Sequence, residues 1–236
     1  MAGGLRRTDG RFFPDRDGFP SLVFPATLGG DDGRMNALYQ RIAPFYDFSE
    51  RVLGRLLTGV DLQESRAEMV SLTDLGAGMR LLEVSPGPGV FFRGLRGRLG
   101  PGSRFAAIDL SIAMLRQCRA NHAAQSVELI HGNAQYLPFA DESFDALFHF
   151  GGVNLFNEPA RALDEFVRVV RKGGILAWGD EQMSSQFRHP LGRWVLPRLN
   201  PGFLRSPPPV PGGLADVRQH EVHRGLGYLI TAKRPH

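Results

Sequence analysis

A short apolar run, Arg80-Leu81-Leu82-Glu83-Val84, leads directly into Ser85-Pro86-Gly87-Pro88-Gly89 and then into a helical stretch from Val90 to Leu99. Few folds accommodate a buried strand that turns through glycines into a helix. Glycine permits the tight turn and lets a ligand approach the backbone closely. The next apolar run, Arg104 to Ile108, is closed by Asp109, twenty residues after Gly89. A carboxylate at that strand end can accept both hydroxyls of a ribose. Together these segments predict the first two strands of a parallel, nucleotide-binding half-sheet.

The rest of the chain continues the alternation. Ser111 can cap a helix over Ile112 to Asn121. Val127 to Ile130 reads as a third strand and Phe144 to Phe150 as a fourth. Glu158 to Val170 reads as a helix ending at Lys172-Gly173-Gly174, and Ile175 to Trp178 as a fifth strand. Val217 to Val222 and Gly227 to Lys233 supply two more. The expected fold is therefore α/β: a Rossmann-like, mostly parallel seven-stranded sheet with helices on both faces. Helical patterning also precedes the sheet. It runs from Met35 through Leu57 with a break at Pro44, then from Leu62 to Leu72, and predicts an N-terminal helical cap. Residues 1–33, rich in Gly, Pro, Asp and Phe, are expected to form an irregular arm that docks through Phe12, Phe13, Phe19 and Phe24. Residues 34–236 form the main domain. Within it, 181–215 breaks the rhythm with prolines and is expected to be an irregular insertion or lid.

Two further stretches bear on a ligand. Gly132-Asn133-Ala134 follows the third strand, where a side-chain carbonyl can accept from an adenine amino group and a neighbouring N–H can donate to the ring. The others are Leu137-Pro138-Phe139, Ser143-Phe144-Asp145 and Arg168-Val169-Val170-Arg171-Lys172-Gly173-Gly174. In this order the segments resemble class I S-adenosylmethionine-dependent methyltransferases, in the type 11-like branch that includes ubiquinone and menaquinone C-methyltransferases. Tyr39 to Asp47 also resembles that branch's N-terminal signature, and the likeness covers about residues 35–180 plus the closing strand.

The resemblance implies S-adenosylmethionine as cofactor. It implies that Gly87 and Gly89 line the methionine and ribose portion, and that Glu83 helps hold the amino end. Asp109 would take the ribose hydroxyls, with Leu110 against the adenine face, while Asn133 and Ala134 read the adenine edge. Phe150 and Gly151 would pass beside the methionine moiety, and Tyr46 would lie near the mouth. Two positions depart from the family pattern. Ser85 stands for the usual first glycine, which is tolerable if its φ stays negative, and Asn133 stands for the commoner aspartate. Residues Gly10 to Leu22 resemble the end of a zinc-ribbon segment without its cysteines, so no metal is expected.

A sulfonium methyl is already a strong electrophile, so positioning an acceptor in line with it is the main requirement. A base matters only where the acceptor must lose a proton. His149, Asp180 and Glu181, at strand ends on the ligand side, are the candidates. His149 also reads as a core residue, and Asp180 and Glu181 as caps. After the fourth strand the chain reads Phe148-His149-Phe150-Gly151-Gly152, not the Asp/Asn-Pro-Pro-aromatic run of amino-methylating nucleic-acid enzymes. A small-molecule acceptor, lipid, quinone or polyketide-like, is expected rather than a nucleic acid.

The charge supports that reading. The net charge is +4, but eight Lys/Arg against two Asp/Glu fall between Arg188 and His236, so the rest of the chain is slightly acidic. The single cysteine, Cys118, excludes an intramolecular disulfide and a multi-cysteine zinc site. No apolar run approaches the roughly 20 residues that cross a bilayer, and the first residues lack a signal-peptide core, so a cytoplasmic protein is expected. Two alternatives remain. A nicotinamide-dependent oxidoreductase would want Gly or Ala where Phe92 stands. A catalytically silent, methyltransferase-like scaffold would be consistent with Ser85.

Overall fold

The structure is a computed structural model describing residues 4–6, 12–27, 29–30, 32–34, 37, 58–123 and 126–236. The helical segments expected between Met35 and Leu57, and with them the signature from Tyr39 to Asp47, lie outside the described residues.

Seven strands form one sheet in the order β6-β5-β4-β7-β8-β10-β9. They are β4 (Arg80–Val84), β5 (Arg104–Asp109), β6 (Glu128–His131), β7 (Phe144–Phe150), β8 (Val170–Glu181), β9 (Ala215–Val222) and β10 (Gly227–Lys233). The first five are mutually parallel, and β10 runs antiparallel to both β8 and β9. Strand order reverses at β4, which lies between β5 and β7. A sheet of this kind opens its ligand crevice beyond the carboxyl ends of the strands at that reversal.

Side chains of the central strands alternate between two cores, as strands covered on both faces must. Leu82, Val84, Ala106, Ile108 and Leu147 pack with Leu163 and Phe166 of α4 (Pro159–Val169). Leu81, Phe105, Ala107 and Phe148 pack on the other face. Their partners include Met69 of α1 (Leu62–Ser71), Phe92 and Leu95 of α2 (Phe92–Leu99) and Cys118 of α3 (Ile112–Asn121). Local chemistry sets the helix limits. Asp61 Oδ1 accepts from the Gln63 and Glu64 N–H groups at the start of α1. Ser111 caps α3 as expected, accepting from the Met114 N–H, and Gly100, at φ 67°, ends α2.

Arg168 explains why two separated motif segments occur together. Its guanidinium donates to Glu165, Asp141 and the carbonyls of Leu137 and Phe139, fastening the Leu137–Phe139 stretch to α4. Arg80 and Arg171 both donate to Asp145 and hold its carboxyl well below the usual range, although partial burial opposes them.

Three segments differ from the sequence expectation. The arm expected to be irregular contains a small antiparallel sheet of β1 (Gly4–Arg6), β2 (Phe12–Arg16) and β3 (Phe19–Pro20). Asp17 and Gly18, both at positive φ, close the β2–β3 hairpin, a two-residue turn that suits Asp-Gly. Ser21 then bridges to His131 at the β6 edge. Phe19 docks as expected and is covered by the Arg119 guanidinium at 4.3 Å, whereas Phe24 stays exposed. In the second, β8 begins at Val170, so Lys172-Gly173-Gly174 lies inside a strand. Any Cβ at Gly174 would fall 2.8 Å from the Asp145 carbonyl, so the glycine serves close strand packing there and does not end a helix. Third, the insertion expected to be irregular contains α5 (Pro190–Leu199) and a 3-10 turn over Pro201–Leu204. Pro190 occupies the first helical turn, where its missing N–H goes unmissed.

Candidate functional site

The two features separated by twenty residues in sequence touch each other at the strand-order reversal. The Gly87 N–H donates to Asp109 Oδ2 at 3.1 Å, and Asp109 Oδ1 accepts from the Ser111 N–H at 2.8 Å. One carboxylate thus spans the Gly-rich turn and the end of the neighbouring strand. Burial pushes the Asp109 carboxyl up to about 6, against the opposing pull of the Ser111, Gly87 and Leu110 N–H groups. Glu83, buried on the adjoining strand, has an Oε2 with no hydrogen-bond partner. Burial first, and then the Asp109 charge, hold its carboxyl well above the ordinary range. A buried acceptor left unpaired is costly, and a ligand donor would relieve that cost.

The glycines divide the work. A Cβ at Gly87 would meet nothing within 4 Å, so the turn is open to a ligand there. One at Gly89 would fall 2.6 Å from His122 Cδ2 and 3.0 Å from Cys118 Sγ, so Gly89 serves the approach of α3 to the turn. Cys118 is buried, and burial with the nearby Glu83 and Asp109 charges pushes its thiol up, leaving it unreactive.

Ser85 corrects the condition placed on it. Its φ is +54°, in the left-handed region that glycine occupies freely. The backbone is held there because the Ser85 N–H continues the strand pairing to the Ile108 carbonyl at 2.8 Å. Ser85→Gly should therefore raise the unfolding free energy by about 1 kcal/mol. Thermal unfolding should show this as a rise of about 2–4 °C, and an unchanged or lowered midpoint would contradict the strain.

The segment after β6 uses its polar groups internally. Asn133 is buried, and its Oδ1 accepts from the backbone and side-chain N–H groups of Gln135 at 3.0 and 3.3 Å. Ala134 packs in the core and Leu110 is half-buried. Gln135 was missed in the sequence. It donates to Asp32 of the arm and accepts from the Glu158 N–H at 2.7 Å, so it links three segments. No local pattern marks such a residue.

Phe150 and Gly151 follow β7 at the same edge. The Phe150 ring lies against Gly179 and Gly227, where an added Cβ would fall 3.1 and 3.3 Å from it, and reaches His223. Gly151 and Gly152, at φ 95° and 97°, carry the chain away. The three base candidates separate clearly. Asp180 is buried and accepts from the backbone N–H groups of Gly152, Asn154 and Glu181, so it clamps the loop after β7. His149 is fully buried between Phe156 and Phe166, donates from Nδ1 to the Val84 carbonyl, and is held neutral chiefly by burial. Glu181 alone is half-buried, with Oε1 4.0 Å from where a Gly151 Cβ would stand. Tyr46 lies outside the described residues.

Residues 82–178 match a family model described as a methyltransferase domain. The chain is 34% identical over 141 residues to a phthiotriol/phenolphthiotriol dimycocerosates methyltransferase of Mycobacterium leprae, covering 60% of this chain and 49% of that protein. It is 31% identical over 165 residues to a demethylmenaquinone methyltransferase of Renibacterium salmoninarum, covering 70% and 63%. It thus spans less than two thirds of either relative. A solved S-adenosylmethionine-dependent methyltransferase of Thermotoga maritima, described as a possible histamine N-methyltransferase, superposes with a TM-score of 0.60 at 21% identity. That match covers 85% of this chain and 99% of the other, and establishes a shared fold.

Proposed function

Because residues 82–178 are a methyltransferase domain, we propose that the protein moves the methyl group of S-adenosylmethionine onto a small apolar acceptor of lipid, quinone or polyketide type. The observation that carries this reading is the crevice where open Gly87, the Asp109 carboxylate and the unpartnered Glu83 oxygen converge. The residues fit the cofactor. Asp109 offers a carboxylate to ribose hydroxyls, Glu83 offers an acceptor to the amino end, and Gly87 leaves room for the chain between them.

When bound, the cofactor supplies an electrophilic methyl carbon. The protein's own part is to hold both reactants in line and keep water out. Phe91, Phe148 and Phe150 stack successively beneath the edge where the acceptor would enter. Glu181 is the residue placed to take a proton, and Asp180 positions the loop beside it. The acceptor class follows from the printed substrates of the relatives, a dimycocerosate lipid precursor and a demethylated quinone.

The test is to incubate the full chain with methyl-labelled S-adenosylmethionine and either a demethylated quinone or a long-chain polyketide lipid alcohol. Label should move into the organic phase. Cofactor heat in calorimetry without label transfer to either acceptor would favour the silent scaffold, and heat with NADH alone would favour the oxidoreductase.

A further inference from the structure

We propose that α5 and the turn after it form a docking surface for an anionic lipid bilayer. On α5, Leu191, Trp194 and Arg198 share one face by helical spacing, opposite the buried Gly192 and Leu196. Trp194 is 61% exposed, and Leu199 and Leu204, just beyond, are 68% and 72% exposed. These apolar groups protrude together from one stretch of chain, and the charge around them has a single sign. Residues 182–215 contain four arginines and no Asp or Glu. The Arg198 guanidinium lies over the Trp194 ring at 4.3 Å, which pairs the cation with the aromatic group at the surface. An amphipathic helix with a basic polar rim and a projecting Trp and Leu face is suited to the interface of an anionic membrane.

The surface is held firmly enough to transmit a docking force. Its inner side, with Phe187, Leu196 and Phe203, forms a separate small core with Val60 and Leu226. The Met183 N–H donates to the Phe203 carbonyl and the Ser184 N–H to the Gly225 carbonyl. Arg205 donates to the Asn154 carbonyl at 2.5 Å, in the loop that Asp180 clamps beside Gly151 and Gly152. The apolar face therefore belongs to a segment pinned to the edge of the crevice. A bilayer-dissolved acceptor would have a short way to travel. No helix among the described residues is long and apolar enough to cross a membrane, so the contact is a peripheral one. The inference goes beyond the methyl-transfer reading and stands on this surface alone.

The chain's two tryptophans make the test direct, because Trp178 is buried and Trp194 is not. The full chain is mixed with vesicles of phosphatidylglycerol and phosphatidylcholine, or of phosphatidylcholine alone, without any cofactor. Cosedimentation and a blue shift of tryptophan emission are expected with the anionic vesicles only. Arg188→Gln with Arg198→Gln should lower the partition coefficient about 25-fold, near fivefold per charge. Trp194→Phe should abolish the blue shift while keeping most of the binding and the unfolding midpoint. Three results would overturn the proposal: no cosedimentation, equal binding to neutral vesicles, or self-association of the chain that buries Trp194 and replaces vesicle binding. Calorimetry with S-adenosylmethionine on the same sample tests the methyl-transfer reading separately.

Discussion

Asp109→Ala is expected to weaken S-adenosylmethionine binding by about 100- to 1,000-fold while the chain stays folded. Two charge-assisted hydrogen bonds to ribose hydroxyls, at about 1.5–3 kcal/mol each, account for that range. The substitution also removes the acceptor for the Gly87 N–H, so the turn that faces the ligand loses a tether. Stability should change little, because loss of the hydrogen bonds is offset by loss of a buried charge. Asp109→Asn keeps one acceptor oxygen and should fall between the two. Isothermal calorimetry at pH 7.5 with parallel thermal unfolding separates binding from folding. Near-wild-type affinity in Asp109→Ala would remove the residue from the site.

Asp109 also predicts a pH dependence. Its folded-state carboxyl, at about 6, lies above its unfolded value of 3.8. Between those values the folded chain binds more protons than the unfolded one. The contribution of Asp109 to stability is therefore greatest in acid, falls as pH rises from about 4 to 6, and is flat above that, amounting to about 3 kcal/mol. The difference in unfolding free energy between wild type and Asp109→Asn, followed across this window, should show that slope. Cofactor affinity should run the other way, rising with pH as the carboxylate ionises.

Glu83→Gln should move stability and binding in opposite directions. The carboxylate is buried, has an oxygen without a partner, and lies close to a second acid. An amide of the same shape removes the charge and brings a donor that Asp109 can accept. The cofactor-free protein should gain about 1–3 kcal/mol at pH 7.5, while affinity for S-adenosylmethionine falls at least tenfold. Denaturant unfolding and calorimetry on one preparation give both values. A variant that loses stability would show that Glu83 serves the fold and not the ligand. The opposing signs are the mark of a group kept unsatisfied for a ligand's sake.

Much of this was legible in local pattern. The strand ending at Val84, the Gly turn and Asp109 were placed by apolar runs and spacing. The α3 limits followed from Ser111 and from helical periodicity, and the closing strands from alternation. Other residues were not legible. Ser85 gives no sign of its positive φ, because the pairing to Ile108 that imposes it comes from a neighbouring strand. Asp180 read as a base or a cap, and only the three N–H groups converging on it decide for the cap. The helix in the insertion was obscured because its prolines were read as breakers, although one of them begins the helix.

The amino-acid sequence by itself determined the order of strands and helices, the glycine turn and the acid that closes the second strand. These signals are carried by residues within a few positions of one another. Only the tertiary structure decided which polar groups are already satisfied and which are left for a ligand. Asp32 meets Gln135 across 103 positions and Asp109 meets Gly87 across 22. Such contacts are set by how the layers pack. A local pattern fixes backbone conformation, whereas hydrogen-bond satisfaction belongs to the assembled whole.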